Sequence, residues 1–170
     1  MSLFSRLFRP KPMEPTGISA LWHRTIAIAR EPEWYANAGV ADTIEGRFDM
    51  VSAVTALVLI RLESTDPKNG VALTEMFITD MDGQLREEGV GDLMVGKHIG
   101  KLVSALGGRI AAYREGLESA DDALLEQAVD RNVTLLDGAA PAPVAQRLRA
   151  LSADLAAMDD GDILEGRVMR

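Results

Sequence analysis

Six carboxylates, Glu75, Asp80, Asp82, Glu87, Glu88 and Asp92, fall within eighteen residues of this 170-residue chain, so metal and acid–base chemistry must be tested first. Asp80-Met81-Asp82-Gly83 opens like a calcium loop, but an EF-hand needs glycine at position 6 and a bidentate Glu at position 12. Counted from Asp80, glycine arrives at position 4 and position 12 is Gly91. Asp82 and Arg86 stand four apart, the spacing of a helical ion pair on a solvated face. No nucleophile, phosphate loop or second histidine accompanies the acids. Lys97 and His98 are adjacent, so on a helix they point about 100° apart and cannot share a site. His23 lacks a second histidine or cysteine at ligand spacing and reads as a surface or satisfied histidine. Gly89-Val90-Gly91 joins two helical patterns and follows no strand, so it is not a dinucleotide fingerprint. The expectation is a protein that is not an enzyme, with no metal and no cofactor. A metal-dependent enzyme using the acidic corner is the minor alternative.

The elements that carry these acids form an elbow. Met76, Phe77, Met81 and Leu85 recur at helical spacing with charge opposite them. Gly89 suits a left-handed position closing that helix, and Asp92 suits the N-cap of the next. The second helix, reaching about Leu117, carries small residues every fourth place: Gly96, Gly100, Ser104, Gly108, Ala112 and Gly116, with Gly107 added. Glycine inside a helix costs roughly 0.5–1 kcal/mol against alanine, so the four internal ones cost about 2–4 kcal/mol. Close backbone approach is the usual compensation. A neighbour within the fold is the first expectation, and an external helix packed on Gly96, Gly100, Ser104 and Gly108 is the second.

The remaining pattern is helical throughout. Thr16 can cap a helix to Arg30, and Pro32 opens a short one that Gly39 closes. Asp42-Thr43-Ile44-Glu45 reads as a capping box for a helix to about Glu63. Ile44, Phe48, Val51, Val58 and Leu62 share one stripe of that helix, and Val54, Leu57 and Ile60 cover much of the rest, as in a central helix wrapped by others. Asp66-Pro67-Lys68-Asn69-Gly70 reads as a turn. Ser119 to Asp122 resembles a second box before a helix to Asn132, residues 137–143 a linker, and Val144 to Met158 a last helix. The fold class is all-α: a single-domain, non-solenoid bundle of about six to seven helices. Residues 1–15 form a flexible basic and apolar segment, 16–158 the helical domain, and 159–170 a flexible tail.

Composition narrows the partners. A net charge of −8 argues against nucleic acid for the body, since phosphate binding needs clustered Lys and Arg. The chain has no cysteine, which removes disulfides and thiol chemistry. The longest central apolar run, Ala53 to Ile60, is broken by Thr55 and is far below the roughly 20 residues needed to span a bilayer. Leu3, Phe4, Leu7 and Phe8 would share a helical face beside Arg6 and Arg9, a small in-plane membrane anchor stopped by Pro10.

Several runs resemble the ubiquinol–cytochrome c chaperone family: Phe77 to Gly96 (FITDMDGQLREEGVGDLMVG), Gly107 to Tyr113, Arg30 to Tyr35, Gly39 to Thr43, Gly46 to Met50 and Leu57 to Leu62. The matches keep their order across about residues 21–133. Ala41, Ser52-Ala53 and Leu106-Gly107 depart from the family's pattern, the last of them deepening the glycine ladder. The resemblance implies an all-α assembly factor for the respiratory cytochrome b–c complex. Its expected partner is newly made cytochrome b or another subunit of complex III. The partner surface it implies comprises Asp80, Asp82, Arg86, Glu87, Gly89, Gly91, Asp92, Lys97 and Arg109. The location implied is cytoplasmic with peripheral contact at a bacterial inner membrane, or mitochondrial in a eukaryote. A homo-oligomeric helical adaptor that uses the glycine ladder as its own interface is the alternative.

Overall fold

The structure is a computed structural model that describes the backbone of residues 17–87 and 92–168; side chains are described over the same residues except 84–87 and 92–99. Among the described residues there are eight helices: α1 (Ile18–Ala29), α2 (Pro32–Ala36), α3 (Ile44–Glu63), α4 (Pro67–Glu87), α5 (Asp92–Glu118), α6 (Ala123–Asn132), α7 (Ala142–Ala156) and α8 (Asp160–Leu164). The expected all-α bundle is what the chain forms, with one isolated bridge, Val40 to Leu135, and no strand among the described residues.

α3 is the axis. From Asp49 to Leu59 every residue is buried, and α1, α4, α5 and α7 all pack on it. That follows from a helix apolar nearly all round, which can only be stable when wrapped. Ile44 is the exception to the expected stripe: it lies 70% exposed in the first turn, beyond the reach of the surrounding helices. The start of α3 also differs from the expected box. Thr43, not Asp42, is the N-cap, its Oγ1 accepting from Gly46 N at 3.1 Å. Asp42 is instead paired with Arg47 at 2.7 Å. Gly46 has a steric reason to be glycine, because a Cβ there would lie 2.0 Å from the Ala41 carbonyl oxygen.

Three other boundaries depart from the sequence reading. The N-cap of α1 is Gly17, at φ 57° and with no side-chain cap, and Thr16, the expected cap, lies outside the described residues. Residues 66–70 are a helix start and not a free turn. Pro67 begins α4, where its missing N–H costs nothing, and Asp66 Oδ1 accepts from Asn69 N at 3.2 Å. Ser119 and Asp121 make two short local turns, Ser119 Oγ accepting from Asp121 N and Asp121 Oδ1 from Ala123 N, so the second capping box is also corrected.

The tail from Asp159 is docked, contrary to the expected fraying. Ile163 and Val168 are buried, and Arg24 Nε donates to Val168 O at 2.7 Å. Arg61 donates to Leu155 O and Met158 O at the end of α7 and pairs with Asp160 at 2.8 Å. A cation at the C-terminal carbonyls of one helix thus holds the start of the next.

Candidate functional site

The family-like surface lies on α4 and α5. Asp80 is exposed and Asp82 half-buried, both on the last turns of α4. Arg86, Glu87, Asp92, Gly96 and Lys97 lie within helices, but their side chains or surroundings fall outside the described residues, as do Gly89 and Gly91 and the angle of the elbow itself. Leu3, Phe4, Leu7 and Phe8 also lie outside them. Among the described residues no group of three or more His, Cys, Asp or Glu could hold a metal ion. His23 is exposed with Nδ1 2.7 Å from Ser19 O, an ordinary bond to the preceding turn.

Arg109 sits away from the exposed acids. Its guanidinium donates to Asp49 Oδ1 at 2.6 Å and to Asn132 O at 3.3 Å, and lies 5.5 Å from the centre of the Phe48 ring. The other Asp49 oxygen accepts from both Thr134 N and Thr134 Oγ1, at 3.0 and 2.7 Å. With side chains only 13% and 12% exposed, this pair ties α3, α5, the end of α6 and the segment after it. Its position explains Arg109 as a fastener of the fold. The sequence signal for it was an aspartate on an otherwise buried helix, which burial tolerates only when paired.

The small-residue ladder divides sharply along α5. Gly100, Ser104, Gly107 and Gly108 are exposed, and a Cβ at any of the three glycines would meet open space. The expected close packing by a neighbour within the fold is not seen at Gly100, Ser104 and Gly108: no helix among the described residues covers them. Among the described glycines of the ladder Gly116 alone shows that packing, since a Cβ there would fall 2.6 Å from Leu125 Cα on α6. Over residues 100–108 Leu106 alone is buried and Leu102 half-buried, so one edge of the helix touches the body and the rest faces solvent. Val103 stands in that outward region, 44% exposed. The outward face presents backbone at close range, with few side chains to keep a partner away.

A groove of about 740 Å³ runs between α1 and α4, with Trp22 and Met76 in its wall and Glu75 and Asp80 at its rim. Trp22 meets the edge of Phe77 at 6.2 Å, so the groove rests on the aromatic part of the core. No helix among the described residues is long and apolar enough to cross a membrane.

Comparison with known proteins gives two matches. A family model described as ubiquinol-cytochrome C chaperone matches residues 36–169. The crystal structure of the Cbp3 homolog from Brucella abortus is similar at a TM-score of 0.77 and 28% identity, over 88% of this chain and 85% of that one. No curated protein matches the chain.

Proposed function

The chain belongs to the ubiquinol–cytochrome C chaperone family, and we propose that within complex III assembly it holds newly made cytochrome b against the end of α4 and the outward face of α5. The observation that carries this reading is the open stretch Gly100, Ser104, Gly107 and Gly108, whose glycines no contact among the described residues explains. A small-residue face lets another backbone come close, as membrane helices do with one another. A membrane protein's apolar helices aggregate before their cofactors and neighbours cover them, so a temporary helical cover has a physical purpose. Asp80, Asp82, Glu87 and Asp92, with Arg86 among them and Lys97 after them, would complement the charged loops that flank such helices. No bond is made or broken in this reading, and Leu3, Phe4, Leu7 and Phe8 keep the chaperone at the membrane where its client is made.

The test is photo-crosslinking in cells from Ser104 and from Asp80, followed by identification of the captured protein. Cytochrome b is the expected product at both positions. Capture of another complex III subunit alone would move the client assignment, and capture only of a second copy of this chain would replace it with the homo-oligomeric adaptor. Reversing Asp80 and Asp82 to Lys is expected to lower the level of assembled complex. An unchanged level would remove the end of α4 from the contact.

A further inference from the structure

We propose that the hollow formed by the end of α1, α2 and the start of α3 binds a phosphate ester, its oxyanion held between the Arg30 and Arg47 guanidiniums and its organic body set against Pro32, Tyr35 and Ala36. The hollow encloses about 580 Å³, and Asp42 is the one acid in its wall. Two cations beside one acid make a locally positive place on a chain whose net charge is −8. The lining draws nothing from α4 or α5, so the site does not depend on the client reading.

The fold fixes the parts. Trp34 Nε1 donates to Ile28 O at 2.7 Å and Tyr35 Oη to Ala29 O at 2.8 Å, which fastens α2 to the end of α1, where Arg30 is the C-cap. Thr43 caps α3, and Arg47 N donates to Thr43 O at 2.9 Å, setting Arg47 on the first turn. The two cations converge on the Tyr35 ring. Burial pushes its phenol above the usual tyrosine range, while Arg47 and Arg30 pull it down and Asp42 adds to the rise.

Both cations have donors to spare. Arg30 is exposed, and its guanidinium has no hydrogen-bond or ion partner among the described residues. Arg47 pairs with Asp42 through Nε at 2.7 Å, and its two terminal nitrogens make no bond among the described residues. That pair is 60% and 58% exposed, so it is worth little and yields readily to a stronger anion. A carboxylate is planar and one guanidinium fork saturates it. Phosphate offers oxygens in several directions and suits two forks arriving from different helices. The Tyr35 proton is already given to Ala29 O, so its ring serves as a wall and not as a donor. With Pro32 and Ala36 it makes an apolar wall that bare phosphate would leave unused, which favours an ester. Asp42 is then a resident competitor inside the hollow.

Titration of the ¹⁵N-labelled full chain, read at the Arg30 and Arg47 Nε–Hε signals, tests the site. The probes are inorganic phosphate, glycerol 3-phosphate, succinate and glycerophosphoglycerol, the deacylated headgroup of phosphatidylglycerol. None carries an acyl chain, so membrane contact elsewhere in the chain plays no part. Glycerol 3-phosphate is expected to move both signals together and saturably, binding at least about tenfold tighter than succinate of matched charge. Glycerol 3-phosphate tighter than glycerophosphoglycerol assigns the site to soluble esters. The reverse order, against the charge difference, assigns it to a lipid headgroup, and either result supports phosphate recognition. Shifts at one arginine only, shifts linear in probe concentration, or equal affinity for succinate would overturn it. Inorganic phosphate binding as tightly as both esters would overturn the part given to the apolar wall. Arg30→Gln with Arg47→Gln, followed at the Tyr35 and Ala36 amides, should weaken glycerol 3-phosphate at least about tenfold, and undiminished affinity would overturn the site. Both side chains lie at the surface, so the fold is kept. Asp42→Asn should tighten binding about threefold by removing the competitor, the scale of an exposed ion pair. Asp154→Asn, the same charge change at an exposed position of α7, is the control and should leave affinity nearly unchanged. Equal effects of the two would overturn the competition by Asp42.

Discussion

The two halves of α5 carry the same four-residue rhythm of small side chains in opposite surroundings. From Arg109 onward the helix is locked. Arg109 is paired with Asp49, Tyr113 is wholly buried, Gly116 is pressed on α6, and Arg149 donates to the carbonyls of Gly116 and Leu117 at 3.0 and 3.1 Å while pairing with Asp122 at 2.7 Å. From Gly100 to Gly108 the helix is held along one edge only. A glycine at helical spacing thus reports that something approaches closely, and does not say whether the approaching element belongs to the same chain. The locked half belongs to stability. The open half is where a partner would be felt.

The largest expected effect tests the lock. Asp49→Ala leaves the Arg109 charge and two Thr134 donors without their acceptor in a site about one-eighth exposed. Removing one partner of a buried pair typically costs about 3–5 kcal/mol, and the remaining access to water places this one near the lower end. A shift of the urea midpoint at constant slope is the readout. A loss under about 1 kcal/mol would mean the pair is replaceable, and the locked half is less fixed than its geometry implies.

Gly116→Ala comes next, at about 1–3 kcal/mol, because the new methyl would have to displace the backbone of α6. Gly107→Ala with Gly108→Ala should have the opposite sign. Both positions are open, so alanine contributes its helix preference without a clash, about 0.5–1 kcal/mol gained at each. The same pair should weaken capture of the client at Ser104. More stability with less capture would separate the two halves cleanly. Unchanged capture would leave the open glycines unexplained by close approach.

The class of fold was readable because nearly every segment repeats at 3.6 residues and the wrapped helix α3 is apolar on all sides. The errors came where one short motif serves two structures. Asp-Pro opens turns and helices alike, so residues 66–70 were misread. Asp42 and Thr43 can each cap, and the choice between them turned on Arg47, which takes Asp42. The docked tail was missed because Ile163 and Val168 are too sparse for a period, and their burial depends on α1 lying beneath them. In the candidate site, the acids and the glycine ladder were visible in the sequence. The partition of that ladder was not, since it depends on where α6 crosses α5. Arg109 belonged to the family-like motif, yet its partner Asp49 lies sixty residues away, beyond any local pattern.

The smallest expected effect concerns what secures the locked half, ring or hydroxyl. Tyr113 is wholly buried, and its hydroxyl has no hydrogen-bond partner among the described residues. Tyr113→Phe keeps the packed ring and removes a desolvated polar atom, so stability at neutral pH should stay within about 0.5 kcal/mol or rise slightly. Burial pushes the phenol well above the usual tyrosine range, against the opposing pull of the Arg109 charge. A raised folded value means the buried ring keeps its proton after the unfolded chain has begun to lose it. Its contribution is complete below about pH 10, the unfolded value, and falls as pH rises beyond it. The phenylalanine variant should therefore lose stability less steeply than the parent between about pH 10 and 12. Parallel profiles would show that the hydroxyl finds water or a partner as α5 breathes, and the locked half would then be looser than its packing indicates.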